Sequence, residues 1–288
     1  MLLNTYEPWK FAFSKENEDI KENSFGIIGV PFDSTTSYHS GARLGPIVVR
    51  EASFGFEKYN TTFNKDLTAS FYDFGDVNVV PGNCEKTCSI IEDTVNELYE
   101  LNLKPLIIGG EHSATIGAVR ALCEKYEKLT VVHLDAHRDL AFDFVGEKYS
   151  HATVMRRVHE MGVNLVQIGI RSSSQDEEDY VKSTYDIQTF KNKDAHKHMD
   201  AIEYYLANID GPIYISIDMD VIDPSIAPSV GNPTPGGLYI SEIETIIQAL
   251  ARKNIVGLDV VETACDRLGD TTAVVAAKII YDFLTLVD

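Results

Sequence analysis

The chain has 288 residues, 44% of them hydrophobic, enough to bury a large core and ordinary for one α/β domain. Its 25 basic and 44 acidic residues give a formal charge of −19, which argues against nucleic acid as a partner because that needs a basic surface. Solubility accounts for most of this charge, and an acidic protein also draws cationic small molecules into its clefts.

No run of 18 or more apolar residues occurs, so no membrane partner is expected. The opening Met1–Trp9 has neither the basic region nor the apolar core of a signal peptide. Four cysteines in a chain of this size do not make a disulfide framework, and a cytoplasmic protein is expected. Cys84 and Cys88, one helical turn apart, read as buried or half-buried helix positions with little weight for a metal or redox role.

Residues 1–24 read as an N-terminal extension packed on or near the domain, and the whole chain, 1–288, as one domain. From Phe25 short apolar runs alternate with amphipathic stretches. Candidate strands are Phe25–Val30, Ser70–Phe74, Lys104–Gly109, Leu129–Asp135, Asn164–Gly169, Asp186–Phe190, Pro212–Asp218 and Asn254–Val260. Most are rich in Val and Ile and apolar on both faces, as in a covered parallel sheet. Candidate helices between them are Pro46–Tyr59, Glu85–Leu101, Ala114–Glu127, Ala152–Met161, Asp176–Ser183, Ala195–Ala207, Ser241–Arg252 and Thr271–Leu286, the first opened by a first-turn proline. The alternation runs without linker or repeat and predicts an α/β fold with about eight strands.

An open parallel sheet carries its site at the carboxyl ends of its strands. Four strand ends here hold His, Asp or Glu: Gly109–Ser113, Asp135–Asp139, Asp218–Asp223 and Glu262. The helix-to-strand connections hold mainly Gly, Lys and Asn. That asymmetry points to an enzyme.

In Asp135-Ala136-His137-Arg138-Asp139 the polar residues recur at every second position, so an extended chain can aim them at one spot. Asp218 and Asp220 repeat the spacing, and His112 adds an imidazole. Six ligands, four of them carboxylates and none a thiolate, suit two divalent cations sharing carboxylates. They favour Mn²⁺ over zinc, with Fe, Co, Ni or Zn able to occupy such a site. Two metals activate water near neutral pH, so metal-assisted hydrolysis is expected.

Gly109-Gly110-Glu111-His112-Ser113, Asp135-Ala136-His137-Arg138-Asp139 and Ser216-x-Asp218-x-Asp220-x-x-Asp223-Pro224-x-x-Ala227-Pro228 together resemble the ureohydrolase family of arginase, agmatinase and formiminoglutamase. So do Gly29–Asp33, Gly41–Pro46 and Thr234–Leu238, and the match runs from about Phe25 to the C-terminus. The resemblance implies a three-layer αβα sandwich on an eight-stranded parallel sheet, arginase/deacetylase-like, two Mn²⁺ per subunit, and a trimer or hexamer. It implies one ion on His112, Asp135, Asp139 and Asp218, and the other on His137, Asp135, Asp218 and Asp220. Hydroxide bridging the metals would attack the guanidinium carbon, with Asp139 orienting it and passing a proton to the leaving amine. His151 matches the family's loop histidine, a proton shuttle. Glu262 matches the carboxylate that pairs with the guanidinium.

Other polar residues have plainer readings. Asp223, before Pro224, shapes a turn. His133 reads as lying off the ligand parity and as a packed or hydrogen-bonded histidine. His39, His159, His196 and His198 read as surface or structural, Glu111 as supporting its neighbour, and Arg171 as either lining the pocket or forming a loop salt bridge.

Substrate choice falls to the loop between Asp139 and His151. Arginases hold the α-carboxylate with an Asn and a Ser whose places are taken here by Ala141 and Glu147. An acid there repels a carboxylate and tolerates an amine, so the resemblance is closest to agmatinase, acting on a small cationic guanidino substrate. Two features depart from agmatinase: Ala152 stands where Gly is usual after the loop histidine, and Thr263–Asp270 lacks the usual Pro and is one residue shorter. Arginine, guanidinobutyrate, aminopropylagmatine and formiminoglutamate therefore remain alternatives. A single-zinc deacetylase-like hydrolase would not need His112, Asp139 and Asp220. The glycines of Gly109–Gly117 do not make a dinucleotide fingerprint. With all six ligands, His151 and Glu262 present, a silent scaffold is disfavoured.

Overall fold

The computed structural model describes residues 2–6, 9–16 and 20–287. Met1, Glu7, Pro8, Asn17–Asp19 and Asp288 lie outside them, so the reading of Met1–Trp9 and of the 1–24 extension is only partly covered. The strands are β1 (Thr5–Tyr6), β2 (Phe25–Gly29), β3 (Tyr59–Asn60), β4 (Lys65–Asp66), β5 (Phe71–Val77), β6 (Lys104–Ile108), β7 (Thr130–Leu134), β8 (Asn164–Ile170), β9 (Ile187–Lys191), β10 (Pro212–Asp218) and β11 (Asn254–Val261). The helices are α1 (Gly45–Ser53), α2 (Cys84–Glu100), α3 (Ala114–Cys123), α4 (Val154–His159), α5 (Gln175–Ser183), α6 (Asn192–Ala195), α7 (Met199–Ala207), α8 (Ile240–Leu250) and α9 (Thr271–Leu286). No described helix is long and apolar enough to cross a membrane.

The main sheet runs β1-β5-β2-β6-β11-β10-β7-β8-β9. Eight of its strands are parallel and correspond to the eight expected. The ninth, β1, is an addition to that count: Thr5 and Tyr6 pair antiparallel with Val77 and Asp76. Two residues hold no periodicity to read, and the pairing is made by backbone groups.

Successive side chains divide between two cores, one on each face of the sheet. Ile27, Leu106, Ile108, Val132 and Leu134 join the core beneath α1, α8 and α9, whereas Ile28, Ile107 and Val131 join that beneath α2, α3 and α4. This is the three-layer arrangement the continuous apolar strands require.

Besides α3, which stops at Cys123 short of the expected Glu127, two expected helices are shorter. α1 stops at Ser53, and Tyr59 instead pairs with Asp66 in a small hairpin. The stretch Ala195–Ala207 breaks at His196–His198, where His198 leaves helical geometry and precedes α7. Another, Ala152–Met161, opens as a 3₁₀ turn at His151–Thr153, with Ser150 and Thr153 closing a capping box.

Candidate metal centre and catalytic cleft

The four polar strand ends are brought together by topology. β6, β11, β10 and β7 are consecutive neighbours in the middle of the sheet, although β6 and β7 are separated in space by the two later strands. Their carboxyl ends deliver His112, Glu262, Asp218 with Asp220, and Asp135 with His137 and Asp139 to one place. The glycine just past that end of β6 has a physical reason: a Cβ on Gly110 would lie 2.0 Å from the Phe32 carbonyl oxygen.

His112 Nδ1 stands at the centre. Asp135 Oδ2, Asp139 Oδ2 and Asp218 Oδ2 lie 3.2, 3.1 and 3.2 Å from it, yet it is buried without a hydrogen bond. A second focus forms around His137 Nδ1, 2.9 Å from Asp220 Oδ2 and 3.5 Å from Asp135 Oδ1. Backbone N–H groups hold the carboxylates in place: Asp220 N donates to Asp218 Oδ1 at 2.8 Å, and Ala136 N to Asp220 Oδ1 at 3.0 Å.

The electrostatics call for cations here. Burial would lower His112, yet the three carboxylates hold it well above its ordinary value. Burial would likewise lower His137, but Asp135 and Asp220 push it up to about 12. Asp139 is pushed up to about 7 by burial and by Asp135, and burial with Asp220 and Asp135 raises Asp218 strongly. Four buried carboxylates this close are compensated by positive charge at the two imidazole foci, as a metal centre supplies. The donor set, buried carboxylate oxygens with two imidazole nitrogens, is that of a divalent-metal site.

Two buried chains fix which nitrogen each histidine offers. Asp259 Oδ1 accepts the Ser216 hydroxyl at 2.7 Å, so Ser216 Oγ receives the Nε2–H of His112 at 2.9 Å and leaves the Nδ1 lone pair facing the carboxylates, able to take a metal. Thr115 and Tyr214 donate to the other oxygen of Asp259, both at 2.7 Å. On the second chain, Arg138 donates to Gln167 Oε1 at 2.8 Å. That turns Gln167 Nε2 toward His133 Nδ1, and His133 Nε2–H therefore donates to Asp135 Oδ2 at 2.7 Å. His133 is thus hydrogen-bonded as expected, but the parity reading was mistaken: 133, 135, 137 and 139 alternate on one side, and His133 faces the cluster. Asp259, a charge inside the apolar run Ile255–Val261, was the legible sign of the other chain.

A cleft of about 270 Å³ opens above the cluster. His137, Asp139, His151, Asp218, Asp220 and Glu262 all reach it. Burial, then His112 and His137, lowers His151 to about 4. Burial and Glu111 push Glu262 up to about 8. Of the substrate-loop residues, Ala141 lines this cleft but Glu147 does not. Phe144 and Glu147 pair across a tight turn at Val145-Gly146, and Glu147 lines neighbouring depressions with Gly82 and Tyr149. The short turn carries Glu147 past the cleft wall. The acid on that wall is Glu177, whose carboxylate also accepts Leu140 N at 2.9 Å.

The remaining polar residues resolve simply. Asp223 accepts Ser225, Gly236 and Gly237 N–H groups and shapes its turn. Among the described residues Arg171 has no salt-bridge partner, and it is not among those lining the cleft. Its guanidinium donates to the carbonyls of Asp220, Val221, Thr234 and Gly169, lacing two loops together. Glu111 is buried and accepts from Thr35 and Ser113. His159 contacts Tyr180 and Asp186, His196 contacts Glu242, and exposed His39 stacks on Tyr38. Exposed His198 caps α7. Cys84 and Cys88 are both buried, with sulfurs 3.9 Å apart.

Residues 23–285 match the model of the arginase family. The N(1)-aminopropylagmatine ureohydrolase of Thermococcus kodakarensis is 39% identical, covering 97% of this chain and 95% of its own length. An agmatinase of Pyrococcus horikoshii is 36% identical over 98% of this chain and 97% of its own. Among solved structures, the agmatine ureohydrolase of Thermoplasma volcanium aligns with a TM-score of 0.87 and 32% identity, covering 98% of this chain and 95% of that one.

Proposed function

The chain belongs to the arginase family, hydrolases that act on guanidino compounds, and from that premise we propose that it converts agmatine and water to putrescine and urea. The observation that carries the proposal is the double focus of carboxylates around His112 Nδ1 and His137 Nδ1 at the floor of a cleft that also exposes Glu262.

His112, Asp135, Asp139 and Asp218 would hold one Mn²⁺, and His137, Asp135, Asp218 and Asp220 the other. When bound, the ions supply Lewis-acid activation of the attacking water. Glu262 binds the substrate: Oε1 is taken by His112 N–H at 2.8 Å, leaving Oε2 for the planar guanidinium. Asp139 orients the attacking water and accepts its proton. His151 collects that proton at Nε2 and delivers it to the leaving nitrogen as the C–N bond breaks, and the remaining hydroxyl proton follows the same route, leaving a neutral urea and an ammonium.

Agmatine over arginine is supported by the cleft wall. Ala141 offers nothing to an α-carboxylate, and Glu177 adds negative charge on that side. A longer polycation is the second reading, favoured by the name of the Thermococcus relative and by the altered Thr263–Asp270 segment. The proposal extends to one ureohydrolase domain over 1–288, assembled as a cytoplasmic trimer or hexamer, which light scattering and cell fractionation check.

The deciding experiment is urea release from agmatine, arginine and N(1)-aminopropylagmatine by Mn²⁺-loaded protein, with Asp135→Ala as control. Agmatine turnover that the control abolishes supports the proposal. Preference for arginine sinks the reading of Ala141, and preference for the longer amine selects the second reading.

A further inference from the structure

His151 is gripped on both ring edges by one loop, residues 33–40, that follows β2. Thr35 Oγ1 lies 3.2 Å from His151 Nδ1, and Ser37 Oγ lies 3.2 Å from His151 Nε2. The loop is itself anchored. Asp33 accepts the N–H of Gly41 at 2.9 Å and of Arg43 at 3.2 Å, and His39 N donates to the Gly231 carbonyl at 3.1 Å.

The hydrogen-bond accounting at Thr35 has one solution. A hydroxyl has a single proton and two lone pairs. Thr35 Oγ1 gives its proton to Glu111 Oε1 at 2.6 Å, while Thr35 N donates to Glu111 Oε2 at 2.7 Å. Ser113 Oγ lies 2.6 Å from the same Oε1, and Glu111 in its ionised form accepts from both hydroxyls and from Thr35 N. One lone pair of Thr35 Oγ1 accepts the backbone N–H of His151 at 3.1 Å. The second can only accept, and the atom it faces is Nδ1. That nitrogen therefore carries the ring proton, and Nε2 is bare. On the far edge Asn232 Nδ2 donates to Ser37 Oγ at 3.0 Å, and the Ser37 proton is shared between two acceptors at 3.2 Å, Asn232 Oδ1 and the bare Nε2. Ser37, His151 and Asn232 line the cleft together.

We infer that Thr35 is a positioning residue that, through Glu111, locks His151 in the Nδ1–H tautomer and presents a bare Nε2 to the cleft. This rests on the reading of His151 as the proton carrier. It assigns a role to a loop residue that touches neither metal ligand nor substrate. Nε2 can then collect a proton and surrender it without the ring having to turn over. Ser37 holds the place that a leaving amine would take.

The test uses the full-length enzyme. Magic-angle-spinning ¹⁵N NMR of histidine-labelled protein, loaded with diamagnetic Mg²⁺, reads the tautomer, and His151→Asn identifies the signals. The wild type should show a protonated Nδ1 and a bare Nε2, and Ser37→Ala should leave that unchanged. Thr35→Val should lose the single tautomer and lower kcat of the Mn²⁺ enzyme about 10²-fold with KM within about two-fold, and Thr35→Ser should restore both. An Nε2–H tautomer in the wild type, or a Thr35→Val variant with wild-type tautomer or wild-type kcat, overturns the inference. Should the wild type turn over no guanidino compound, the proposed function fails, and the NMR spectra still decide the tautomer.

Discussion

Glu262 Oε1 accepts the backbone N–H of His112 at 2.8 Å, so the carboxylate proposed for the substrate also braces the segment carrying a proposed metal ligand. Glu262 holds a left-handed backbone, φ 63°, and so does Asp139, φ 53°. Two non-glycine residues in that region at one cleft are held against local strain by their surroundings.

Glu262→Gln keeps an oxygen for His112 N–H but loses the carboxylate that, ionised above about pH 8, meets a guanidinium. A charge-assisted pair contributes about 2–3 kcal/mol, so kcat/KM should fall roughly 30- to 150-fold with metal content unchanged. Glu262→Ala should lower bound metal as well. Urea assays paired with metal analysis separate the two effects. Loss of metal in the glutamine variant would show that the charge, not the brace, matters to the centre.

Ser216→Ala removes the hydroxyl between Asp259 and His112. The His112 Nε2–H is then left without an acceptor, and the ring loses its fixed orientation. Metal affinity should fall roughly 10- to 100-fold, read by chelator competition on the folded protein. An unchanged affinity would mean that packing alone orients the ring.

His151 carries a pH signature. Burial lowers it to about 4, from an ordinary value near 6.5. Between those values the unfolded chain binds a proton that the folded chain does not, so stability rises with pH across that window. The contribution is complete above about pH 6.5 and is lost as pH falls toward 4. His151→Asn should therefore show a shallower decline of Tm from pH 6.5 to 4 than the wild type, by differential scanning calorimetry. Parallel curves would mean that the folded imidazole titrates normally.

Arg171→Lys replaces a planar fork with a point charge that cannot reach all four carbonyls. The Asp220 and Thr234 loops should loosen, lowering Tm and weakening the metal held by His137 and Asp220 before the one held by His112. Titration of metal-free protein should then change from two tight sites to one tight and one weak. Equal weakening of both would show that the lacing supports the whole cluster.

The amino-acid sequence by itself determined the eight parallel strands and which carboxylates and imidazoles stand at their ends. Apolar runs at strand length and carboxylates at alternate positions are local patterns, and locality is what a sequence preserves. It also determined the turn at Asp223, where Ser225 is a partner close in the chain. Only the tertiary structure decided which ends meet. Nothing local says that β11 and β10 slip between β6 and β7 and so make four loaded ends adjacent. The same holds for Asp259 behind Ser216, for Thr35 beside His151, and for Arg171 on carbonyls that show no side-chain pattern. Glu147 is a further case: its position in the loop was legible, but a two-residue turn at Val145-Gly146 places it against the neighbouring depressions rather than the cleft above the cluster. Hydrogen bonds between distant segments are set by the close packing of the whole chain, and no periodicity of the sequence encodes them.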